Sequence, residues 1–236
     1  MVRYVGKKIF GWKLTTDPEA DWDLYWTDAA VQIDQLGRMK PYQKINHFPG
    51  MFSLAQKNHL GRNLMRLKKV FPAEYNFFPP TWNLPSDMVD FRNQFKKKTS
   101  NKTYIIKPAA SCQGRGIYLT RTWENVATNE SVVAQKYISR PFLIDGLKFD
   151  LRIYVLLAGC DPLRIYMYEE GLARLATEPY VAPKVDNINN MCMHLTNYAI
   201  NKENPNFVFN TNEKDANAGH KRSMTSVFQV ITLLKN

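Results

Sequence analysis

Cysteine is scarce: of 236 residues only Cys112, Cys160 and Cys192 carry thiols, none in a CxxC pair, and an odd number leaves at least one of them free. This excludes a disulfide framework and suits a reducing compartment. Cys192 and His194 lack a partner pair, which sets a zinc site aside. Long apolar runs are also missing. The longest, Ile153 to Cys160, spans about eight residues, far short of the roughly 20 that a membrane-crossing helix needs. Lys7 and Lys8 fall where a signal peptide would carry its apolar core, so the chain reads as intracellular. No fixed-period repeat is present, which excludes solenoids and propellers. Acidic residues are outnumbered, with 21 Asp and Glu against 32 Lys and Arg and a net charge of +11. Such a surface attracts polyanions, whether nucleic acid, anionic membrane or an acidic protein segment. What remains is 44% hydrophobic, with 11 Gly and 13 Pro, the composition of a folded protein large enough to bury a core.

The opening is irregular and aromatic, and Trp22 to Trp26 alternates like a half-buried strand. Leu60, Leu64, Leu67 and Phe71 recur at helical spacing and form one amphipathic stripe, which Pro72 ends. Arg62, Arg66, Lys68 and Lys69 are read as the solvated face of that helix. Phe78-Pro79-Pro80-Thr81-Trp82 cannot continue a helix, which marks a lobe boundary near residue 78. Ser86 is expected to cap a helix burying Met88, Phe91 and Phe95, and Lys96-Lys97-Lys98 complements its C-terminal dipole.

Three stretches carry chemistry. Tyr104 to Pro108 and Ile117 to Thr120 read as strands joined by Ser111-Cys112-Gln113-Gly114-Arg115-Gly116. Either this is a plain hairpin, or its backbone N–H groups approach phosphate with Lys107 and Arg115 adding charge. In Lys148 to Val155 the strand period puts Lys148, Asp150 and Arg152 on one face and Phe149, Leu151, Ile153 and Val155 on the other. The apolar continuation to Leu157 predicts a central strand whose polar end faces a cleft, and Asp161-Pro162 turns the chain into a hairpin partner from Leu163 to Tyr168. Val132 to Ile138 reads as a further strand. Arg174 and His194-Leu195-Thr196-Asn197 stay open between surface, capping and functional roles.

In order, the motifs WDLYWTD, YQKINHFPGM, IIKPAASCQGRGIYLTR, QKYISRPFLIDGLKFDLRIYVL, CDPLRIYMYEEGLARLAT and MCMHLTNYAINK resemble the tubulin-tyrosine-ligase-like family, in its polyglutamylase branch, from about Trp22 onward. The resemblance implies an α/β (α+β) ATP-grasp fold. Its lobes would be an N-terminal one over 1–78, a central one with the glycine-rich loop over 79–138, and an incomplete C-terminal one over 139–236. It implies that Lys107, Gln113, Arg115 and Gly116 hold ATP phosphates, and that Gln135, Lys136, Tyr137 and Ile138 meet adenine. Lys148, Phe149, Asp150, Thr196 and Asn197 would complete the nucleotide site. Arg152 and Arg174 would act at the reacting centre, Arg174 anchoring the α-carboxylate of incoming glutamate, with Arg115, Tyr198 and Lys221 as further substrate contacts.

The implied reaction is ATP- and Mg²⁺-dependent amide ligation. A glutamate side chain in an acidic tubulin C-terminal tail becomes an acyl-phosphate, which the amino group of free L-glutamate attacks. Tubulin tails and microtubules are the expected partners of a monomer in the cytoplasm and cytoskeleton, including cilium or flagellum and basal body. Neither nucleic acid nor membrane is expected, since no nucleic-acid motif is recognised. The family's acidic metal ligands have no counterpart up to Asn236, so they are expected beyond it and the chain is expected to be a fragment. The rival expectations are a non-catalytic ATP- or microtubule-binding module of the same fold, and a tubulin glycine ligase.

Overall fold

The computed structural model describes residues 1–17, 20–96, 102–111, 113–210 and 218–233. Cys112, Lys97, Lys98 and Leu234 therefore lie outside the described residues. The chain is a mixed α+β protein that divides into two compact units, 1–55 and 56–236. The aromatic opening contains only a short strand, β1 (Leu24–Tyr25), paired in parallel with β2 (Lys44–Ile45). Side chains do the work that a longer ladder would do. Asn46 bonds both the N–H and the C=O of Thr27, and buried Gln43 donates to the Trp22 carbonyl at 2.8 Å.

The second unit begins with the helix Lys57–Val70, which the leucine spacing anticipates. Its close contact with the sheet runs through Gly61, where an added Cβ would stand 3.0 Å from Thr81 Cγ2. Arg62, Arg66 and Lys69 are exposed, as expected of a solvated face, whereas Lys68 reaches back to the Phe78 carbonyl at 2.9 Å. The following strand, β3 (Thr81–Leu84), is buried along its whole length. The next helix is Met88–Asn93, and Ser86 does not cap it. Asp87 holds the cap position, and its carboxylate accepts from Asn83 N–H instead, closing the turn that leads out of β3.

β3 joins β4 (Tyr104–Pro108), β5 (Tyr118–Thr120) and β6 (Val132–Lys136) in one antiparallel sheet of order β3-β6-β4-β5. One face packs Trp82, Leu84, Tyr104, Ile106, Val132 and Ala134 around Phe91 of the helix. The other face presents Ile105 and Leu119 to Tyr137 and Leu195. The alternation of strand side chains is what allows one sheet to serve two cores.

The second sheet has the order β10-β9-β8-β7, from β7 (Leu143–Ile144), β8 (Leu147–Cys160), β9 (Leu163–Leu175) and β10 (Lys221–Ser223). Its core is Ile144, Ala173, Leu175 and Val227, the last from the helix Met224–Leu233. Glu170 accepts from the N–H groups of Met224 and Thr225 at the start of that helix, a carboxylate placed where free N–H donors gather. The hairpin across Asp161-Pro162 forms as expected, but β8 is central only at its polar end. Beyond the pairing with β10, β8 and β9 continue as a two-stranded ribbon, with Val155, Leu156, Ile165 and Met167 all 58–69% exposed. The apolar run reads as core because periodicity reports which residues could be buried, not whether a layer lies over them.

Candidate active site

β4 and β6 bring Lys107 and Gln135 together: the ammonium donates to Gln135 Oε1 at 2.8 Å, and Gln135 Nε2 donates to Thr81 Oγ1 at 2.9 Å. Lys57, at the start of its helix, donates to the carbonyls of Pro108 and Ser111, where the glycine loop departs. Burial first and the Lys57 charge second hold the Lys107 ammonium below its ordinary pKa. Among the described residues neither lysine has a carboxylate partner. Two ammonium groups crowded without an anion make a donor set that fits phosphate.

Lys148, at the buried end of β8, donates to the His194 carbonyl at 2.8 Å and the Tyr137 hydroxyl at 2.9 Å, and lies 4.3 Å from the Tyr137 ring centroid. Burial, reinforced by Lys107 and opposed by Asp150, pushes its pKa down to about 8. Burial also raises the Tyr137 phenol, so it stays a neutral donor.

The alternation along β8 then delivers Asp150 and Arg152 to the same face. Asp150 stands opposite Arg174 in the β8–β9 register, and the guanidinium donates to both carboxylate oxygens, Nε to Oδ1 at 2.9 Å and Nη2 to Oδ2 at 3.0 Å. Thr196 Oγ1 donates to the same carboxylate. On the next strand Lys221 stands opposite Arg174. A cavity of about 200 Å³ opens here, lined by Arg152, Arg174, Thr196, Tyr198 and Lys221 together with Phe207 and His220. A second hollow shares Arg174 and Tyr198 with the first and is further lined by Gln113, Asn197 and Lys202. Three cations around one small cavity, two of them planar guanidinium forks, suit a carboxylate-bearing ligand.

The glycine loop comes down on this region. Gly114 has φ +87°, and a Cβ there would stand 2.8 Å from Ile200 Cδ1 and 3.0 Å from Asn197 Cγ. Gln113 and Gly116 also have positive φ. The hairpin is therefore tightly wound against the short helix Tyr198–Asn201 and not a plain turn. If this loop covers nucleotide phosphates, as the family resemblance implies, Gly114→Ala is expected to weaken ATP binding about tenfold and to lower the melting temperature; calorimetric titration with ATP and thermal unfolding of the variant check this.

Several sequence-derived residues do not line either cavity. Arg115 and Lys136 are exposed, and Ile138 is 56% exposed. The N–H groups of Lys136 and Tyr137 already donate to the carbonyls of Pro80 and Thr103. Gly116 abuts Pro108, and Phe149 packs beside the core of the second sheet. Conversely, Lys57, His194, Asn201, Phe207 and His220 take part without having been singled out as site residues. Only His194 carried a local signal, in the His194-Leu195-Thr196-Asn197 run. It is wholly buried, its Nε2 against the Asn187 carbonyl at 3.1 Å, and burial lowers its pKa. Asn201 anchors the segment by bonding Thr177 and the Leu195 and Asn197 carbonyls.

With this fold and site in view, the family is evident: the family model described as the tubulin-tyrosine ligase family matches residues 35–232, and the chain belongs to that family. Among curated proteins it is similar to "Probable beta-tubulin polyglutamylase" of Tetrahymena thermophila, 63% identical over 98% of this chain and 20% of that protein. It is also similar to the tubulin polyglutamylase TTLL13 of Mus musculus, 52% identical over 89% of this chain and 25% of that protein. Identity to the tubulin polyglutamylase TTLL7 of Xenopus tropicalis is 43% over 95% of this chain and 24% of that protein. The chain thus spans a fifth to a quarter of the length of these relatives.

Proposed function

We propose that this chain carries the nucleotide- and amino-acid-binding region of an ATP-dependent tubulin polyglutamylase, a ligase that joins free glutamate to glutamate side chains of acidic tubulin tails. The observation that supports it best is the placement of Arg174. Its guanidinium is held on one side by Asp150, whose carboxylate also accepts from Thr196 Oγ1, and the guanidinium lines a small cavity shared with Arg152 and Lys221. The two antiparallel sheets agree with an ATP-grasp arrangement in which residues 79–138 and 139–236 supply facing lobes and 1–78 an N-terminal one.

Lys107 and Lys148 would hold phosphate oxygens, the Gln113–Gly116 loop would cover them, and the segment Gln135 to Ile138 would flank the base, with Asp150 and Asn197 completing the site. When bound, ATP supplies the phosphoryl group that gives the acceptor carboxylate a leaving group. This chain's own residues neutralise crowded negative charge, orient the incoming amino acid through Arg174, Tyr198 and Lys221, and present Arg152 to the reacting end. Among the described residues no group of three His, Cys, Asp or Glu gathers in a way that fits Mg²⁺, and no step is assigned to a metal. The net charge of +11 suits a polyanionic tail and a microtubule surface, including that of cilia, flagella and basal bodies.

The test is incubation of the native polypeptide carrying this sequence with tubulin, ATP and either glutamate or glycine, followed by mass spectrometry of the tails. Mass added in glutamyl steps, only with ATP, is expected. Glycyl steps, or microtubule binding with no added mass, would overturn the reading.

A further inference from the structure

His220 lines the cavity beside Arg174 and Lys221, yet nothing in the reading above uses it. Its position is unusually determined for a residue just outside a strand. Gly219 turns at φ +74°, where an added Cβ would meet the Val208 carbonyl at 2.8 Å. The His220 N–H donates to Val208 O at 3.2 Å, and its C=O accepts from Leu175 N–H at 2.9 Å. The ring is fixed as well. It stacks on Phe207, with centroids 5.4 Å apart and planes 29° from parallel, and Nδ1 accepts the Val208 N–H at 2.9 Å.

An imidazole whose Nδ1 is an acceptor carries its proton on Nε2. Burial, with the Arg222 charge nearby, lowers the pKa below its ordinary value, so the ring is neutral at physiological pH. The site therefore holds a fixed neutral N–H donor beside two cations, and among the described residues that Nε2 has no hydrogen-bond partner.

We propose that His220 is a specificity-determining residue of the amino-acid cavity, its Nε2–H donating to the side-chain carboxylate of the incoming amino acid while Arg174 and Lys221 hold the α-carboxylate. This rests on the ligase reading above and adds the residue that distinguishes a dicarboxylic amino acid from one without a side-chain acceptor. The division of labour has a chemical reason. Every amino acid has an α-carboxylate, so the cations alone cannot discriminate, whereas a positioned donor left unpaired by a smaller ligand can.

Three variants of the native polypeptide separate this role from a structural one. His220→Phe keeps the stack on Phe207 and loses both nitrogens. His220→Asn keeps an acceptor for Val208 N–H and loses the outer donor. His220→Gln restores a donor close to the Nε2 position. The inference expects KM for glutamate to rise about tenfold in the Phe and Asn variants, as for one lost hydrogen bond to a charged group. It also expects kcat and KM for ATP to hold within about twofold, and the Gln variant to recover most of the loss. Should the Phe variant fail to fold, the Asn and Gln pair carries the comparison. If the wild type adds glutamate but the Asn variant keeps its glutamate KM and its preference over glycine, the inference is overturned while the ligase reading survives. If the wild type ligates no glutamate at all, both fall.

Discussion

Arg174→Ala raises the KM for glutamate by about a hundredfold and leaves the KM for ATP within about twofold, the expected result if this guanidinium is the α-carboxylate anchor. The magnitude follows from losing a two-pronged, charge-assisted contact, about 2–3 kcal/mol. The cost to folding should be smaller. Asp150 keeps the Thr196 hydroxyl when the guanidinium is removed, and the pair is 26% and 34% exposed, so solvent screening limits the loss to about 1 kcal/mol. Arg174→Lys keeps the charge without the fork and should recover only part of the affinity. Initial-rate kinetics at varied glutamate, with urea unfolding as the control, measure both effects. An unchanged glutamate dependence would remove Arg174 from the site.

The second large effect is a pH step in nucleotide affinity. Lys148 has its pKa pushed down to about 8 by burial and by Lys107, so in the free protein it is charged below that pH and loses its proton above it. Loss of the Lys148 proton should lower ATP affinity by only about twofold up to pH 8, where half of the free protein is still charged at this residue. The affinity should then fall toward tenfold per unit as the pH rises further, because an uncharged amine does not neutralise phosphate. In Lys148→Met the step at about pH 8 should vanish, and affinity at pH 7 should drop about a hundredfold. Titration calorimetry at several pH values reads both, and a step that persists in the variant would assign it to another group. The same shift has an opposite sign for folding. The charged form is disfavoured in the folded chain, so the penalty is fully present below pH 8 and fades as pH rises toward the ordinary value of 10.5.

Much of the architecture is legible in the sequence because it is local. The leucine spacing foretells the helix Lys57–Val70, the β-rich runs foretell β4, β5, β6 and the β8–β9 hairpin, and the Lys148-Asp150-Arg152 alternation foretells their common face. The errors are also local rules applied where a longer-range contact prevails. Ser86 is a good capping residue, but Asp87 takes the position because its carboxylate closes the turn from β3. The apolar stretch of β8 is strand-forming, but nothing in a period of two reports whether a neighbouring layer is there to cover it.

Chain order alone determined the strand periods, the glycine loop, the surplus of cations and the family to which they belong. Tertiary structure decided which cations meet. Asp150, Arg174 and Lys221 are separated by 24 to 71 positions and converge through the β8–β9–β10 register, Thr196 joins them through its bond to Asp150, and Val208 and Phe207 fix His220 from twelve and thirteen positions away. Side-chain periodicity is a property of neighbouring residues, but a binding site is a property of strand register and packing. Register is selected by the burial of whole faces, which is why Lys107 and Arg174 could be singled out from the sequence while the role of His220 emerges only once the chain is folded.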